Sequence, residues 1–426
     1  MIDVIHSAMR LKADASRVVV RPFHIPIDPE NPGSGRVGRI VRAVLAFDEV
    51  QAEKVLEIVF KDFEARHWQT RNVFNQRYDQ IAQALKLNGS ISPVRRELIG
   101  AYFCHEYSYA AAALMNPSVV LHPDQSGLSA GSRRIVLSLR AVGEGHISSI
   151  AFREGILSPG AQFELGPEPP FAIAAAHRHD GLVRPGDMVE IHRQEDSTIS
   201  GTLIFPITPE QSNGLEDLRM LQFAHDDGSL EWIGTYTAFN GRMIRSEFLR
   251  TIDFRSFQMQ AIRGSAARNK GMALFPRKIG GEFMMLGRQD GENLFLIRSP
   301  EIDLWHEGEL LIAPKYPWET VQIGNCGAPI EIDEGWLVLT HGVGAMRKYS
   351  IGAVLLDLND PSKVLGRTTD PLLAPGDEDR EGYVPNVLYT CGALRHGDML
   401  FMPYGVADSS VAFAFVPIAS LLAAMR

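Results

Sequence analysis

The sequence predicts a mainly β fold, a five-bladed β-propeller behind an N-terminal helical extension. Three observations carry that expectation. Glycine (38) and proline (25) make up about 15% of the 426 residues, against an average of roughly 12%, so turns are frequent and strands short. Beyond about Asn116 the helical period disappears. From there one pattern recurs five times: a Gly or Asp turn, a short apolar strand, then polar or charged residues.

Residues 1–111 form the extension, an α/β region that is mostly helical. VVVRPF (18–23) and RIVRAVLAF (39–47) read as strands on either side of the turn cluster DPENPGSG. AEKVLEIVFKDFEARHW then carries Val55, Leu56, Ile58, Val59 and Phe63 at helical spacing. A second helix covers VFNQRYDQIAQALKL. A third starts where Ser92 can cap and Pro93 occupies the first helical position. Residues 112–426 hold the repeats SAGSRRIVLSLRAVGEG, DDGSLEWIGTYTAFNG, IGGEFMMLGRQDG, DEGWLVLTHGVG and HGDMLFMPYGVAD. Their strands start near 135, 231, 282, 336 and 399, and the last four are about 50 to 60 residues apart, the length of a four-stranded blade. The first interval is widened by LSPGAQFELGPEPPFAI and HRHDGLVRPGDMVEIHRQED, and PIASLLAAMR reads as a short closing helix. Polar clusters end the repeat strands at Arg140, Thr235/Tyr236, Arg288, His341 and Tyr404/Asp408. In a propeller they converge on the axis; in a sandwich they would be scattered strand ends.

Composition narrows the function classes. An apolar share of 45% supports a large core and excludes disordered and fibrous chains. A formal charge of −9 disfavours a nucleic-acid backbone as partner. Three cysteines, Cys104, Cys326 and Cys391, make no disulfide framework and suit a reducing compartment. With no apolar leader and no stretch near 18 apolar residues, the expectation is a soluble cytoplasmic protein without membrane contact.

No phosphate-binding glycine loop, dinucleotide fingerprint, CxxC or HExxH is present, and no metal is called for. The histidines of AAAHRHD (174–180) lack clear further ligands, and Cys326 and Cys391 read as small buried side chains beside turns. Glu216-Asp217-Leu218-Arg219 is more informative, because adjacent acids beside an arginine can fix one carboxyl's protonation state for general acid work; the alternative is a surface ion pair. Arg268, Lys270, Arg288, His341 and Arg347 fall at or near the strand ends. Cations gathered in an acidic protein point to an anion, phosphate above all, unless they are solvated surface charges.

The same residues carry a family resemblance. In order, NPS (116–118), LRAVGE (139–144), EDLR (216–219), LFPRK (274–278), THGVG…RKYSIGAVLLDLNDPSKVLGRT, PLLAP…EGYVPNV…CG and PYGVADS resemble glycoside hydrolase family 130 over residues 112–426. That family comprises mannoside phosphorylases and related β-mannosidases on a five-bladed propeller. The resemblance implies an inverting β-mannoside phosphorylase acting on β-manno-oligosaccharides, β-1,2-linked foremost, with inorganic phosphate as co-substrate and no cofactor. It also implies no nucleic-acid or membrane partner, and leaves room for a homo-oligomer. Asp217 becomes the general acid, acting through a sugar hydroxyl. Asn116, Ser118, Arg140, Arg219, Tyr236, Tyr383 and Asp408 hold sugar, and Arg268, Asn269, Lys270, Arg288, His341, Arg347 and Tyr349 hold phosphate. Because phosphate is itself an anionic nucleophile, such an enzyme needs an acid and a cation cluster but no general base. Three positions depart from the family: Leu218 stands for Pro, Gly287 for His and Glu331 for Lys. The alternatives are a hydrolytic β-mannosidase with Glu381 or Glu331 as base, a mannosyltransferase, and a non-catalytic glycan-binding propeller.

Overall fold

Arg36, Arg39 and Arg42 alternate with Val37, Val41 and Val44, a spacing that buries one face of a helix. Residues Arg36–Leu45 accordingly form helix α1, correcting the strand expected over 39–47: β-branched composition suggested a strand, while the i, i+4, i+7 stripe decides for a helix. The computed structural model describes residues 2–28, 30–87, 89–177, 186–195 and 197–426. The chain divides into two units, one of Ser16–Tyr109 with Pro169–Ala174 and one of Met1–Ala15, Ala110–Glu168 and Ala175–Arg426.

In the smaller unit, helices α2 (Glu49–Phe63), α3 (Thr70–Leu85) and α4 (Pro93–Tyr102) join α1 around a core containing Val41, Leu56, Phe60, Phe74, Ile81 and Leu98. Asp48 opens α2 with a capping box, and Ser92 caps α4 with Pro93 in its first turn. Strands Val18–Pro22 and Cys104–Ser108 pair antiparallel beside them.

Strand dominates the larger unit, and among the described residues five antiparallel groups stand out. The first is Ala113–Leu121, Arg133–Val142, Ser148–Ser158 and Gln162–Leu165; the second is Gly214–Ala224, Leu230–Phe239, Ile244–Thr251 and Ser256–Ala261. A single parallel contact, Gly214 with Ser148, joins these two. The third is Ala273–Leu274, Phe283–Gly287, Leu294–Ser299 and Glu309–Ile312, and the fourth Gln322–Asn325, Gly335–Val343, Tyr349–Leu356 and Val364–Arg367. The fifth is Leu388–Tyr389, Met399–Val406 and Ser410–Pro417. The strand Ile5–Lys12 completes it by pairing with Ser410–Pro417, which is why the first residues belong with the sheets rather than with the rest of 1–111. Ile418–Ala423 forms the closing helix, α5.

Each core is shared by consecutive groups. Phe152 and Ile150 pack with Met220 and Trp232, Phe223 and Phe248 with Met285 and Ile297, Leu296 with Trp336 and Val338, and Leu339 with Leu400 and Met402. First and last groups also meet: the Phe163 ring lies 4.9 and 4.7 Å from those of Phe401 and Phe413, and the Cys391 amide donates to the Pro117 carbonyl at 2.8 Å.

Two glycines of the THGVG…SIG run have a steric reason. A Cβ on Gly342 would come within 2.4 Å of the Trp318 ring, and one on Gly352 within 2.5 Å. The indole lies against both and donates its Nε1–H to the Thr369 carbonyl. Gly342→Ala should therefore force Trp318 out of place and lower stability by about 1–3 kcal/mol, read as a fall in Tm. An unchanged Tm would show the contact to be soft.

Candidate active site

Two β-bulges build the site. Register slips between Met115 and Ser118, and between Glu216 and Arg219, in the opening strands of the first two groups. Asn116 and Asp217 sit at these slips with φ of 48° and 56°, left-handed values that Asn and Asp tolerate better than most residues. Arg347 (φ 55°) and Asp408 (φ 48°) share this conformation, so strained backbone collects around one pocket.

That pocket, about 130 Å³, is lined by five cations, Arg140, Arg219, Lys270, Arg288 and Arg347, and two carboxylates, Asp217 and Asp408. Asn116, Asn325, His341, Tyr349 and Tyr389 complete its polar wall. Asp217 Oδ1 accepts from Asn116 Nδ2 at 2.7 Å and from Arg140 Nη1 at 3.3 Å. Arg140 also donates to Glu216 Oε1 at 2.7 Å and to Ser148 Oγ at 2.9 Å. Arg219 donates to the Asp217 carbonyl at 2.8 Å and to the Tyr389 hydroxyl at 2.6 Å. One arginine thus fixes the acid's side chain and another its backbone.

Protonation follows from these contacts. Burial alone would raise the Asp217 pKa, but Arg140, Lys270 and Arg219 with the Asn116 hydrogen bond outweigh it and hold the carboxyl well below the usual carboxylate range. Glu216 is shifted upward, by burial first. Asp408 is raised to about 6 by burial and the nearby Asp217 charge. His341 is driven well below its ordinary value by burial, then by Arg288 and Arg219. A neutral ring donates from Nδ1 to the Asn325 carbonyl at 3.1 Å and accepts from Arg288 Nη1 at Nε2, 3.2 Å. His341 therefore orients a cation instead of being one, which corrects its place in the cation count.

The Asp408 shift has a measurable consequence. Because protons bind more tightly to the folded state, stability falls as pH rises from about 4 to about 6 and then stays lower, by about 3 kcal/mol at this site. Asp408→Asn should raise Tm at pH 7 and change it little at pH 4. Equal effects at both values would contradict the shift.

Of the residues singled out from sequence, Asn116, Arg140, Asp217, Arg219, Lys270, Arg288, His341, Arg347, Tyr349 and Asp408 meet in the pocket. The others stand elsewhere. Tyr236 is buried in the core, its hydroxyl bonded to Glu247 and Gln211, because strand alternation turns it away from the pocket. Ser118 is fully buried, its Oγ accepting from the Met220 amide at 3.1 Å and tying the two bulged strands together. Arg268 ends a short 3-10 turn as an exposed side chain. Asn269 spans to the Arg288 carbonyl at 2.7 Å, holding that segment without lining the pocket. Tyr383 is 55% exposed and pairs with His146, ring centroids 5.9 Å apart. Thr235 donates to the Met272 carbonyl, and Tyr404 meets His6 Nδ1 at 3.1 Å.

Glu331 pairs with Arg277 at 2.8 Å and Glu381 is exposed; neither lines the pocket. Cys326 and Cys391 are buried, the first thiol pushed up to about 12 and the second also raised, which removes both as nucleophiles at neutral pH. His177 pairs within a short strand, while Arg178, His179 and Asp180 lie outside the described residues. Among the described residues no group of three His, Cys, Asp or Glu side chains is placed to hold a metal, and no helix is long and apolar enough to cross a membrane. Sequence reading missed Tyr389, Asn325, Gly271, Gly324 and Val387, which line the pocket. The signals were the strand following VPNV and the NCG turn.

Comparison with known proteins meets this geometry. The chain is 33% identical over 227 residues to the β-1,2-mannobiose phosphorylase of Listeria innocua, covering 51% of this chain and 62% of that one. It is 36% identical over 150 residues to a 1,2-β-oligomannan phosphorylase of Thermoanaerobacter, covering 35% and 50%. The aligned regions thus leave a third to a half of these relatives' lengths unmatched. In structure, the Listeria innocua enzyme in complex with β-1,2-mannobiose superposes with a TM-score of 0.52 at 23% identity, over 73% of this chain and 91% of that one. A glycosyl hydrolase from Bacteroides ovatus gives 0.51 at 18%, over 73% and 85%; at such identities the likeness speaks for the fold alone. The glycoside hydrolase family 130 model, described as β-1,4-mannooligosaccharide phosphorylase, matches residues 202–426. With more than half its length under that match, and Asp217, Arg288, His341 and Asp408 brought into one pocket, the chain belongs to glycoside hydrolase family 130.

Proposed function

We propose that this chain is an inverting β-mannoside phosphorylase. It cleaves β-linked manno-oligosaccharides, β-1,2-linked foremost, with inorganic phosphate, giving α-mannose 1-phosphate and a shortened sugar. The observation carrying the reading is a single pocket in which an acid held by Asn116 and Arg140 shares space with Lys270, Arg288, Arg219 and Arg347. Two relatives named for the β-1,2 linkage support that linkage. Residues 112–426 carry catalysis, with the strand Ile5–Lys12 completing their last sheet, and the helical unit of Ser16–Tyr109 is the extension. The five strand groups are the blades of one propeller, a reading supported by the cores shared between neighbours and by the Phe163 contacts linking first and last.

In this mechanism Lys270 and Arg288, the latter oriented by neutral His341, hold phosphate, with Arg347 and Tyr349 extending the anion site. Asn116, Arg140 and Asp408 hold the mannosyl unit. A phosphate oxygen attacks the anomeric carbon as the glycosidic bond breaks, and the departing oxygen takes a proton that Asp217 gives up through a sugar hydroxyl. The cations around Asp217 favour its ionised form. Bound phosphate offsets those same charges and raises the carboxyl's affinity for the proton it passes on; in the net reaction that proton is the one hydrogen phosphate gives up on becoming the sugar phosphate. The three free cysteines fit a cytoplasmic setting. Incubation with β-1,2-mannobiose and phosphate, followed by NMR, should give the α anomer of mannose 1-phosphate first. The β anomer would contradict inversion.

A further inference from the structure

Tyr389 lines the catalytic pocket from between the VPNV and CG motifs, and the phosphorolytic mechanism assigns it no task. It ends the short strand Leu388–Tyr389, which pairs with Met399–Val406 and sets Tyr389 opposite Gly405. A Cβ on Gly405 would come within 3.1 Å of the Asn116 amide nitrogen and 3.5 Å of the Tyr389 carbonyl oxygen, so these three segments are closely apposed. Just beyond, the Cys391 amide and the Thr390 hydroxyl both donate to the Pro117 carbonyl, at 2.8 and 3.3 Å. On a backbone fixed this way, both ends of the tyrosine side chain meet the machinery.

The hydroxyl accepts from Arg219 Nη2 at 2.6 Å, while Arg219 Nη1 donates to the Asp217 carbonyl at 2.8 Å. Arg219 is buried, and its Nε has no partner among the described residues. The guanidinium is therefore held through those two acceptors, and Tyr389 supplies one of them. Burial raises the pKa of the phenol, so it stays neutral, as the peptide carbonyl is. Arg219 is thus fixed in place without its charge being cancelled by the groups that fix it. The ring meets a second element. Its centroid lies 5.0 Å from that of His341 at an interplanar angle of 61°, and Tyr349 stacks on the same imidazole at 6.0 Å and 12°. With two aromatic rings against it, His341 keeps the direction in which its Nε2 meets Arg288 Nη1 at 3.2 Å.

We propose that Tyr389 is a positioning residue serving both halves of the reaction: its hydroxyl sets Arg219 and through it the acid Asp217, and its ring sets His341 and through it the phosphate-binding Arg288. This rests on the phosphorolytic reading and requires no contact between Tyr389 and substrate.

Steady-state kinetics of Tyr389→Phe and Tyr389→Leu, with β-1,2-mannobiose and varied phosphate, separate the two tasks. Phenylalanine keeps the ring and removes the anchor of Arg219, so kcat should fall about tenfold while KM for phosphate stays within about twofold of wild type. Leucine removes both, so a similar fall in kcat should come with a rise of about tenfold in KM for phosphate. A side chain that merely stabilised the fold would lower Tm in both variants without dividing kcat from KM in this way. An unchanged kcat in Tyr389→Phe, or a phosphate KM raised about tenfold in that variant, would overturn the proposal however well Tyr389→Leu folds. So would an unchanged phosphate KM in a folded Tyr389→Leu. Phosphate-independent sugar release by the wild type would overturn the phosphorolytic reading and the ring's part with it; the hydroxyl's part would still stand or fall on the kcat of Tyr389→Phe.

Discussion

Asp217→Asn should lose turnover by on the order of a thousandfold while folding as the wild type does. Asparagine keeps the left-handed backbone of the Glu216/Arg219 bulge and the shape of the side chain, so the loss is chemical. Asn116, Arg140 and Arg219 remain to hold the position, but no transferable proton can reside there. Circular dichroism and Tm verify the fold, and initial rates with saturating disaccharide and phosphate measure the loss. Near-normal turnover would move the acid role elsewhere, with Asp408, raised to about 6, the next carboxyl in the pocket.

Arg288→Ala should raise KM for phosphate about 10–100-fold and leave KM for the sugar nearly unchanged, since a charge-assisted bond to an anion contributes about 1.5–3 kcal/mol. Arg288 lines the pocket and is held by His341 Nε2, whereas Arg268 is exposed and outside the lining. Arg268→Ala should therefore change phosphate KM by less than about twofold. The reverse ranking would show that Arg268 swings into the pocket and that the anion site is built from the Ala267–Lys270 segment. His341→Asn separates orientation from charge. If His341 acts as a neutral support, its loss disorders Arg288 and gives the phosphate effect without altering the pH profile.

The strand repeats were legible because turn chemistry and alternation are local. The second strands begin at Arg133, Leu230, Phe283, Gly335 and Met399, within two residues of the expected starts. The polar side chains at their ends, Arg140, Arg288 and His341, were found for the same reason. Less visible were the short opening strands of the later groups. Gln322–Asn325 and Leu388–Tyr389 are too brief to show a period, yet they bring Asn325 and Tyr389 to the pocket. Tyr236 misled because neighbouring residues on one strand face opposite ways, and a motif string does not say which face Thr235 or Tyr236 takes. Helix α1 was misread because Val and Ile favour strands, while the buried Val37, Val41 and Val44 stripe wins once Leu98 and Phe60 pack on it. The ionisation of Asp217 lay beyond sequence altogether. It depends on Lys270 and Arg140, distant in the chain, standing beside the same carboxyl.

The central claim is that this pocket uses phosphate as the nucleophile. Product formation from β-1,2-mannobiose, measured with and without inorganic phosphate in otherwise identical buffer, tests it most directly. The cation cluster predicts α-mannose 1-phosphate that appears in proportion to added phosphate, with almost no free-sugar release in its absence. Mannose released at the same rate without phosphate would contradict the account and make the enzyme a hydrolase.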